Sequence, residues 1–209
     1  MPPALDELEI TVSPSLTGIS SSSFPLTLLG ENPEGDPPVM GLDNAGKTSV
    51  ILDIEKALAG EALPSAQPGQ TRLRVERFEV TLVELPWSQR SRSAWRSHYG
   101  GAHGLLFVLD SGDPARVEEA RKVLSRVLSH PDVSGKPLLL LANKQDAAAA
   151  LLPCELIERL CLERLVNENR SPCRIEENTK GPRRKKRKVK VKKKGWGSQT
   201  HLKSRRDRE

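Results

Sequence analysis

Aromatic residues are scarce in this chain of 209 residues, where three Trp, three Phe and one Tyr make up 3% of the sequence. A hydrophobic core must therefore be built mainly from aliphatic strands and helices. No apolar run approaches the roughly 18 residues that a membrane-spanning helix needs, so the sequence predicts no transmembrane helix. The length suits one domain with appendages.

Cysteine is also rare, and the three present are Cys154, Cys161 and Cys173. An odd number without a secretory signal predicts reduced thiols, as in the cytosol. Cys154 and Cys161 fall on one predicted helix, and we favour core packing over metal binding for this pair. The four histidines show no metal-ligand spacing.

Basic residues are missing from residues 1–46, which contain seven prolines and the Ser20–Ser23 run. This excludes the basic start of a signal peptide and predicts a disordered leader over residues 1–38. We expect a folded domain over residues 39–178, followed by a basic, disordered tail over residues 179–209.

The charge of the tail contrasts with that of the body. Residues 181–209 hold 14 basic and 2 acidic side chains, a net of +12, whereas residues 1–180 hold 19 and 25, a net of −6. Three interpretations of the tail stay open: nuclear import or nucleic-acid contact, adsorption to an anionic membrane, and a solvated tail without a partner.

A phosphate-binding pattern, G-x-x-x-x-G-K-[ST], stands at Gly41–Thr48. Its glycines allow backbone N–H groups to surround phosphate oxygens, its lysine reaches the outer phosphates, and its threonine contacts Mg²⁺. A helix predicted over Thr48–Ala59 adds its positive end. The candidate phosphate and Mg²⁺ residues are Gly41, Asp43, Asn44, Ala45, Gly46, Lys47 and Thr48.

A second motif follows the apolar run Pro137–Ala142, which is typical of a buried parallel strand. It is N-K-x-D, formed by Asn143, Lys144 and Asp146. An Asp carboxylate accepts two hydrogen bonds from guanine. Adenine would leave this carboxylate without a partner, which costs about 1–3 kcal/mol of binding free energy. Asn143 would brace the loop and Lys144 would lie along the base. The two motifs predict binding of GTP or GDP with Mg²⁺.

Strand and helix patterns alternate along the chain, which predicts an α/β fold with a mostly parallel sheet and helices on both faces. Ligand loops then lie at the carboxyl ends of the strands. The predicted strands are Thr71–Val75, Phe78–Leu85, Leu105–Leu109, Leu138–Ala142 and Cys173–Glu176, and the later predicted helices are Pro114–Ser129 and Pro153–Val166.

The spellings GLDNAGKT and NKQD resemble the ADP-ribosylation factor (Arf) branch of the small GTPases, as do the segments Arg92–Tyr99 and Ala102–Ser111. Three later segments resemble the ADP-ribosylation factor-like protein thirteen subgroup, which is tied to the primary cilium: Leu152–Glu155, Leu165–Glu168 and Pro172–Glu176. The resemblance implies a P-loop small GTPase fold and a monomer. It also implies a role in ciliary membrane-protein traffic, with protein effectors or another Arf-like GTPase as partners. The implied location is the cytoplasm and the cilium, with the nucleus as an alternative through the tail.

The switch regions depart from this family. Glu84-Leu85-Pro86-Trp87 stands where the family has Asp-x-x-Gly, and Ser88 replaces the Gln that aims the attacking water. We therefore expect weak or absent GTP hydrolysis and assign no catalytic residue; the alternative is a non-catalytic interaction protein. In the first switch, Ser65 stands in place of the Mg²⁺-binding Thr. The resemblance thus implies Thr48, Ser65 and Glu84 as metal ligands.

Both ends of the predicted domain are shorter than the family's. Only Val39 and Met40 precede the phosphate loop after Pro37 and Pro38, and proline cannot donate to a central ladder. At the other end the basic run replaces the last amphipathic helix, and Thr179-Lys180 replaces the Ser-Ala pair that backs guanine. We expect an incomplete first strand and no last helix.

Overall fold

The computed structural model describes residues 10–13, 36–58, 62–63, 67–75, 78–88 and 91–178. One eight-stranded sheet runs through them. Its strands are β1 Ile10–Ser13, β2 Pro38–Gly41, β3 Ala62–Leu63, β4 Gln70–Val75, β5 Phe78–Glu84, β6 Leu105–Asp110, β7 Leu138–Asn143 and β8 Cys173–Glu177. The five strands with predicted bounds all form, each ending within one residue of its predicted limits.

The strand order is β1-β8-β7-β6-β2-β5-β4-β3. The first six strands in this order, β1, β8, β7, β6, β2 and β5, pair with one another in parallel. The pairings of β5 with β4 and of β4 with β3 are antiparallel. The predicted mostly parallel sheet is therefore confirmed. The antiparallel part consists of three consecutive strands, β3, β4 and β5. Consecutive antiparallel strands need only a short connection, because the chain reverses directly between them.

In the described part of the chain, five α-helices flank the sheet: α1 Lys47–Ala57, α2 Arg92–Trp95, α3 Val117–Leu128, α4 Pro153–Leu160 and α5 Leu162–Glu168. A 3-10 turn, Pro114–Arg116, precedes α3 within the predicted helix. The helix predicted over residues 153–166 is interrupted at Cys161, whose φ of 50° is left-handed. This residue interrupts the regular helix and so separates α4 from α5.

The parallel strands are buried on both faces of the sheet. Successive side chains of a strand point to opposite sides, so each strand contributes to two hydrophobic clusters. Met40, Phe107 and Leu140 face the larger cluster, which α2, α3, α4 and α5 cover. Val39, Val108 and Leu141 face a second cluster, to which α1 is the only described helix that contributes. Helices thus lie on both faces, as predicted.

The strand before the phosphate loop forms in spite of the two prolines. Pro38 is the first residue of β2, the position in a strand where a missing N–H costs least. The Pro37 carbonyl accepts a hydrogen bond from Val83 N at 3.3 Å. The strand is short, as expected: it has 4 residues and contains only the second proline of the pair.

The two ends of the described chain differ from expectation in one respect. Residues 10–13, within the leader for which disorder is predicted, form β1 at the sheet edge, with Ile10 opposite Cys173. Within the described ranges, which end at Asn178, no helix follows β8. Residues 1–9 and 14–35 of the leader, Ser65 and the basic tail lie outside the described residues.

The predicted core packing of two cysteines is wrong. Cys154 and Cys161 are both exposed, and only Cys173 is buried. The side of α4 that faces the core carries Leu156 and Leu160 instead.

Candidate guanine-nucleotide site

Three neighbouring strands end at the same edge of the sheet and deliver the predicted motifs there. Gly41 at the end of β2 lies opposite Val108 of β6. Asp110, the last residue of β6, lies opposite Asn143, the last residue of β7. Parallel strands place their carboxyl ends together, which is where ligand loops gather in such sheets. The phosphate motif and the base motif therefore lie side by side.

The phosphate loop has the backbone that its glycines predict. Gly46 has a φ of 92° and Asn44 a φ of 56°, both left-handed. A Cβ on Gly41 would overlap the Val108 carbonyl oxygen. Gly46 is also the N-cap of α1 and offers no side-chain cap, so the first N–H groups of α1 are open to an anion.

Lys47 lies folded back on this loop. Its ammonium donates to the Leu42 carbonyl at 3.0 Å and lies 3.4 Å from the Gly41 carbonyl. The residue is 8% exposed, and burial lowers the pKa of its side chain. In the described part of the chain, no carboxylate lies within ion-pair distance of this ammonium. A buried cation satisfied only by carbonyl oxygens is complementary to a phosphate.

Asn143 joins the two motifs directly. Its side-chain amide donates to the Ala45 carbonyl at 2.8 Å, in the middle of the phosphate loop. Its side-chain oxygen accepts a hydrogen bond from the Asn178 amide at 3.0 Å. The bracing role predicted for Asn143 matches this geometry. Asn178 was not predicted from the sequence, because nothing in the residues around it indicates that its side chain contacts Asn143 at the end of β7.

Lys144 connects the base loop to the same phosphate loop. Its ammonium donates to the Asn44 carbonyl at 2.8 Å and to Asp110 Oδ2 at 2.6 Å. Asp110 also accepts from Gly112 N at 2.9 Å. The sequence reasoning did not single out Asp110, although its place at the carboxyl end of an apolar strand was a usable signal. Asp146 is exposed, with its carboxylate open to solvent.

Thr48 and Glu84, two of the three predicted metal ligands, are in contact. The Thr48 hydroxyl lies 2.7 Å and 3.0 Å from the two Glu84 carboxylate oxygens. Oxygen donors of this kind suit Mg²⁺. No group of three or more His, Cys, Asp or Glu residues in the described ranges is arranged to hold a metal. A cation here would thus depend on these two side chains together with the ligands that a nucleotide brings.

An ion pair beside the phosphate loop was not predicted. Arg116, in the turn before α3, donates to Asp43 Oδ1 at 2.5 Å and to the Asp43 carbonyl at 3.2 Å. Its guanidinium also contacts Glu119 Oε2 at 3.0 Å and 3.1 Å. The hydrogen bond from Arg116 lowers the pKa of the Asp43 carboxyl group.

The segment after Glu84 is anchored to the protein interior. Leu85 is buried, and its N–H donates to the Val39 carbonyl at 3.0 Å. The Trp87 and Trp95 rings lie 5.7 Å apart, and Trp95 Nε1 donates to the Pro86 carbonyl at 2.9 Å. The Ser88 hydroxyl contacts that of Ser91 at 2.5 Å. Apolar and aromatic contacts therefore replace the flexible glycine that the family has here.

Comparison with known proteins agrees with this geometry. The sequence profile described as "ADP-ribosylation factor family" matches residues 27–182. ADP-ribosylation factor-like protein 6 of Danio rerio is 32% identical over 130 residues, covering 60% of this chain and 70% of that protein. ADP-ribosylation factor-like protein 13B of Chlamydomonas reinhardtii is 29% identical over 136 residues, which cover 65% of this chain but only 26% of that protein.

A solved structure shows the same fold. The Arl6 BBS3 small GTPase from Trypanosoma brucei, solved with bound nucleotide analogue GppNp, superposes with a TM-score of 0.57 at 28% identity. The similarity covers 68% of this chain and 86% of that one.

The sheet order and the two motifs at its edge define a P-loop small GTPase fold. With the family match over most of its length, the chain belongs to the ADP-ribosylation factor family and is an Arf-like small GTPase. Among the residues that the structure describes, no helix is both long and apolar enough to span a membrane.

Proposed function

We propose that this protein binds GTP and GDP with Mg²⁺ at the edge formed by β2, β6 and β7. The observation that carries the proposal is the Asn143–Ala45 hydrogen bond of 2.8 Å, which holds the phosphate loop against the base loop. Lys47 and the open N–H groups of α1 supply the positive charge for phosphate. The bound GppNp in the Arl6 relative supports the same use of this fold.

The base-reading role belongs to Asp146 in this proposal. Its exposed carboxylate follows Asn143 and Lys144, which are both tied to the phosphate loop. A guanine bound at this loop would donate two hydrogen bonds to Asp146, one from its ring N–H and one from its amino group. Adenine lacks this pair of donors, so discrimination follows from the unpaired carboxylate.

Calorimetry of GDP and GTP binding in the presence of Mg²⁺ tests the proposal. We expect micromolar or tighter binding of both nucleotides and no measurable binding of ATP. Asp146→Asn should abolish guanine-nucleotide binding, whereas Asp132→Asn, at an exposed site away from the motifs, should not. Undetectable binding by a wild-type protein whose circular dichroism shows the folded state would overturn the proposal.

Hydrolysis of GTP is proposed to be weak or absent. Ser88 occupies the position of the water-aiming Gln, and its hydroxyl contacts Ser91 instead. The tilted ring contact between Trp87 and Trp95 supports the proposal that this segment does not move with the γ-phosphate. The same contacts favour the second candidate function, a non-catalytic interaction protein. Single-turnover hydrolysis with excess protein separates the two, because a rate above the no-protein control contradicts the non-catalytic function.

We also propose that the protein belongs to the ADP-ribosylation factor-like protein thirteen subgroup and acts in ciliary membrane-protein traffic. Both proposals are supported by the similarity to ADP-ribosylation factor-like proteins 13B and 6. A tagged full chain in ciliated cells should concentrate at the cilium, and Lys47→Ala should reduce that enrichment if nucleotide binding recruits an effector. Uniform cytoplasmic signal for both forms would contradict the ciliary role.

The basic tail is proposed as a contact for polyanions, either an anionic membrane or nucleic acid. Its support is the net charge of +12 on residues 181–209. Binding to anionic vesicles or to duplex DNA should weaken steeply with salt and disappear without these residues. Salt-independent binding would contradict this function.

A further inference from the structure

The phosphate loop carries an acidic side chain at its rim, which is unexpected beside a site for a polyanion. Asp43 is the third residue of the loop, and its side chain is 61% exposed. Asp43 stands four residues before Lys47 in the same loop. Burial lowers the pKa of the Lys47 ammonium, and the charges of Glu84 and then Asp43 partly oppose that shift. An uncompensated carboxylate here would repel the outer phosphates that the P-loop lysine contacts.

Arg116 compensates this carboxylate. Its guanidinium makes two contacts with Asp43, one to the side chain at 2.5 Å and one to the carbonyl at 3.2 Å. Glu119 holds the same guanidinium from the other side at 3.0 Å. A guanidinium that donates to two carboxylates has a fixed orientation. The Arg116 side chain is therefore held at the phosphate loop.

We propose that Arg116 is a specificity-determining residue, which favours GTP over GDP by neutralising Asp43 at the rim of the phosphate loop. This inference rests on the proposed nucleotide binding. GTP carries one more phosphate than GDP, and that additional negative charge lies at the outer end, where Lys47 reaches. Repulsion from an unpaired Asp43 therefore affects GTP more than GDP.

A double-mutant cycle tests the inference with Arg116→Ala, Asp43→Asn and the two combined. Affinities for GDP and for GppNp are measured by calorimetry with Mg²⁺. Arg121→Ala is the matched control, because Arg121 is also near the start of α3 but pairs with Glu118 and not with the loop.

Arg116→Ala should lower the ratio of GppNp to GDP affinity by about tenfold, since a full charge near the outer phosphate loses its partner. Asp43→Asn should preserve or raise the ratio. The combined variant should return to within about threefold of Asp43→Asn, because Arg116 matters only while Asp43 is charged. Arg121→Ala should leave the ratio unchanged.

Two results would overturn the inference. One is a loss of affinity in Arg116→Ala that is equal for GDP and GppNp and that persists in the combined variant. This would mean that Arg116 only supports the structure of the loop. The other is a lower ratio in Asp43→Asn. If Arg116→Ala does not fold, Arg116→Gln replaces it, because it removes the charge and keeps much of the side-chain volume. Its ratio should lie below that of the wild type, and an unchanged ratio counts against the inference. A folded wild-type protein that binds neither nucleotide contradicts the proposed function itself.

Discussion

Gly46 and Asn143 share one small space at the centre of the site. A Cβ on Gly46 would overlap the Asn143 side-chain nitrogen, which itself donates to the neighbouring Ala45 carbonyl at 2.8 Å. The phosphate loop and the base loop are thus packed directly against each other, with no space for a side chain at Gly46. Substitutions in either loop should therefore disturb the other.

Gly46→Ala should be the most damaging of three glycine substitutions. It combines a left-handed φ of 92° with the Asn143 overlap, and we expect a loss of stability above the ~1–2 kcal/mol that left-handed strain alone costs. Gly135→Ala has a φ of 82° but open space, so it measures the strain alone. Gly100→Ala has neither feature and should be close to neutral. Urea unfolding ranks the three, and an equal loss for Gly46 and Gly135 would contradict the packing argument.

Asn143→Ala should lower both stability and nucleotide affinity. It removes the donor to Ala45 and the acceptor for Asn178, and each buried partner left unpaired costs about 1–3 kcal/mol. Asn178→Ala should destabilise less, because it leaves only the Asn143 side-chain oxygen unpaired, and it should also weaken binding less, because the bond to Ala45 remains. Asn167→Ala is the control: its exposed amide donates to the Glu163 carbonyl of the same helix at 2.9 Å, so its loss should cost less than the loss of either buried amide. Thermal unfolding and GDP calorimetry would show whether the two effects separate in this way.

Glu84→Gln should reduce the dependence of nucleotide affinity on Mg²⁺. The Glu84 carboxylate lies 2.7 Å from the Thr48 hydroxyl, and neutralising it removes the negative charge that attracts a cation there. We expect the gain in GDP affinity on adding Mg²⁺ to fall about tenfold. Glu84→Asp should keep most of the gain, because the charge is retained.

Glu79→Gln is the control for this prediction, since Glu79 lies on the same strand and pairs with Arg72 and Arg74 instead. A wild-type GDP affinity that EDTA leaves unchanged would show that no cation binds at Thr48 and Glu84.

Cys173 should be the unreactive thiol of the three. It is buried between β1 and β7, whereas Cys154 and Cys161 are exposed. Native protein should therefore react with two equivalents of a thiol reagent, and the third should react only on unfolding. Rapid labelling of Cys173 in the native protein, read by mass spectrometry, would contradict the placement of β8.

The same burial predicts a loss of stability at high pH. Burial raises the pKa of the Cys173 thiol from 9.0 to about 12. The folded state therefore keeps a proton that the unfolded state releases, so this contribution is complete below pH 9 and is lost between about pH 9 and 12. Burial also lowers the pKa of Lys47 and raises the pKa of Tyr99, so both add a pH dependence of their own. The measurement is therefore the difference between wild type and Cys173→Ala. Parallel stability curves for the two proteins would contradict the prediction.

Much of the fold could be predicted because its signals are local. The apolar runs at Leu105–Leu109 and Leu138–Ala142 have the length and composition of buried parallel strands, and both form with one additional residue. Alternation of strands with helices then limits the topology to a few solutions. The break at Cys161 was not predicted, because a left-handed cysteine leaves no periodic signal.

The candidate site was predicted in part for the same reason. The two motifs name Lys47, Thr48 and Asn143 directly, since each motif is short and continuous in sequence. Asp110, Arg116 and Asn178 were missed, because each acts through a residue on a distant segment. Their roles depend on which strand ends and turns become neighbours, and that is a property of the sheet order.

The sequence by itself determined the α/β class, the phosphate and base motifs and the degenerate second switch, since these depend on residue types and spacings within short segments. The tertiary structure alone decided that Asn143 braces the phosphate loop, that Glu84 contacts Thr48 and that Arg116 neutralises Asp43. Each of these contacts joins residues far apart in the chain. Only the packing of parallel strands side by side brings their carboxyl ends within hydrogen-bonding distance.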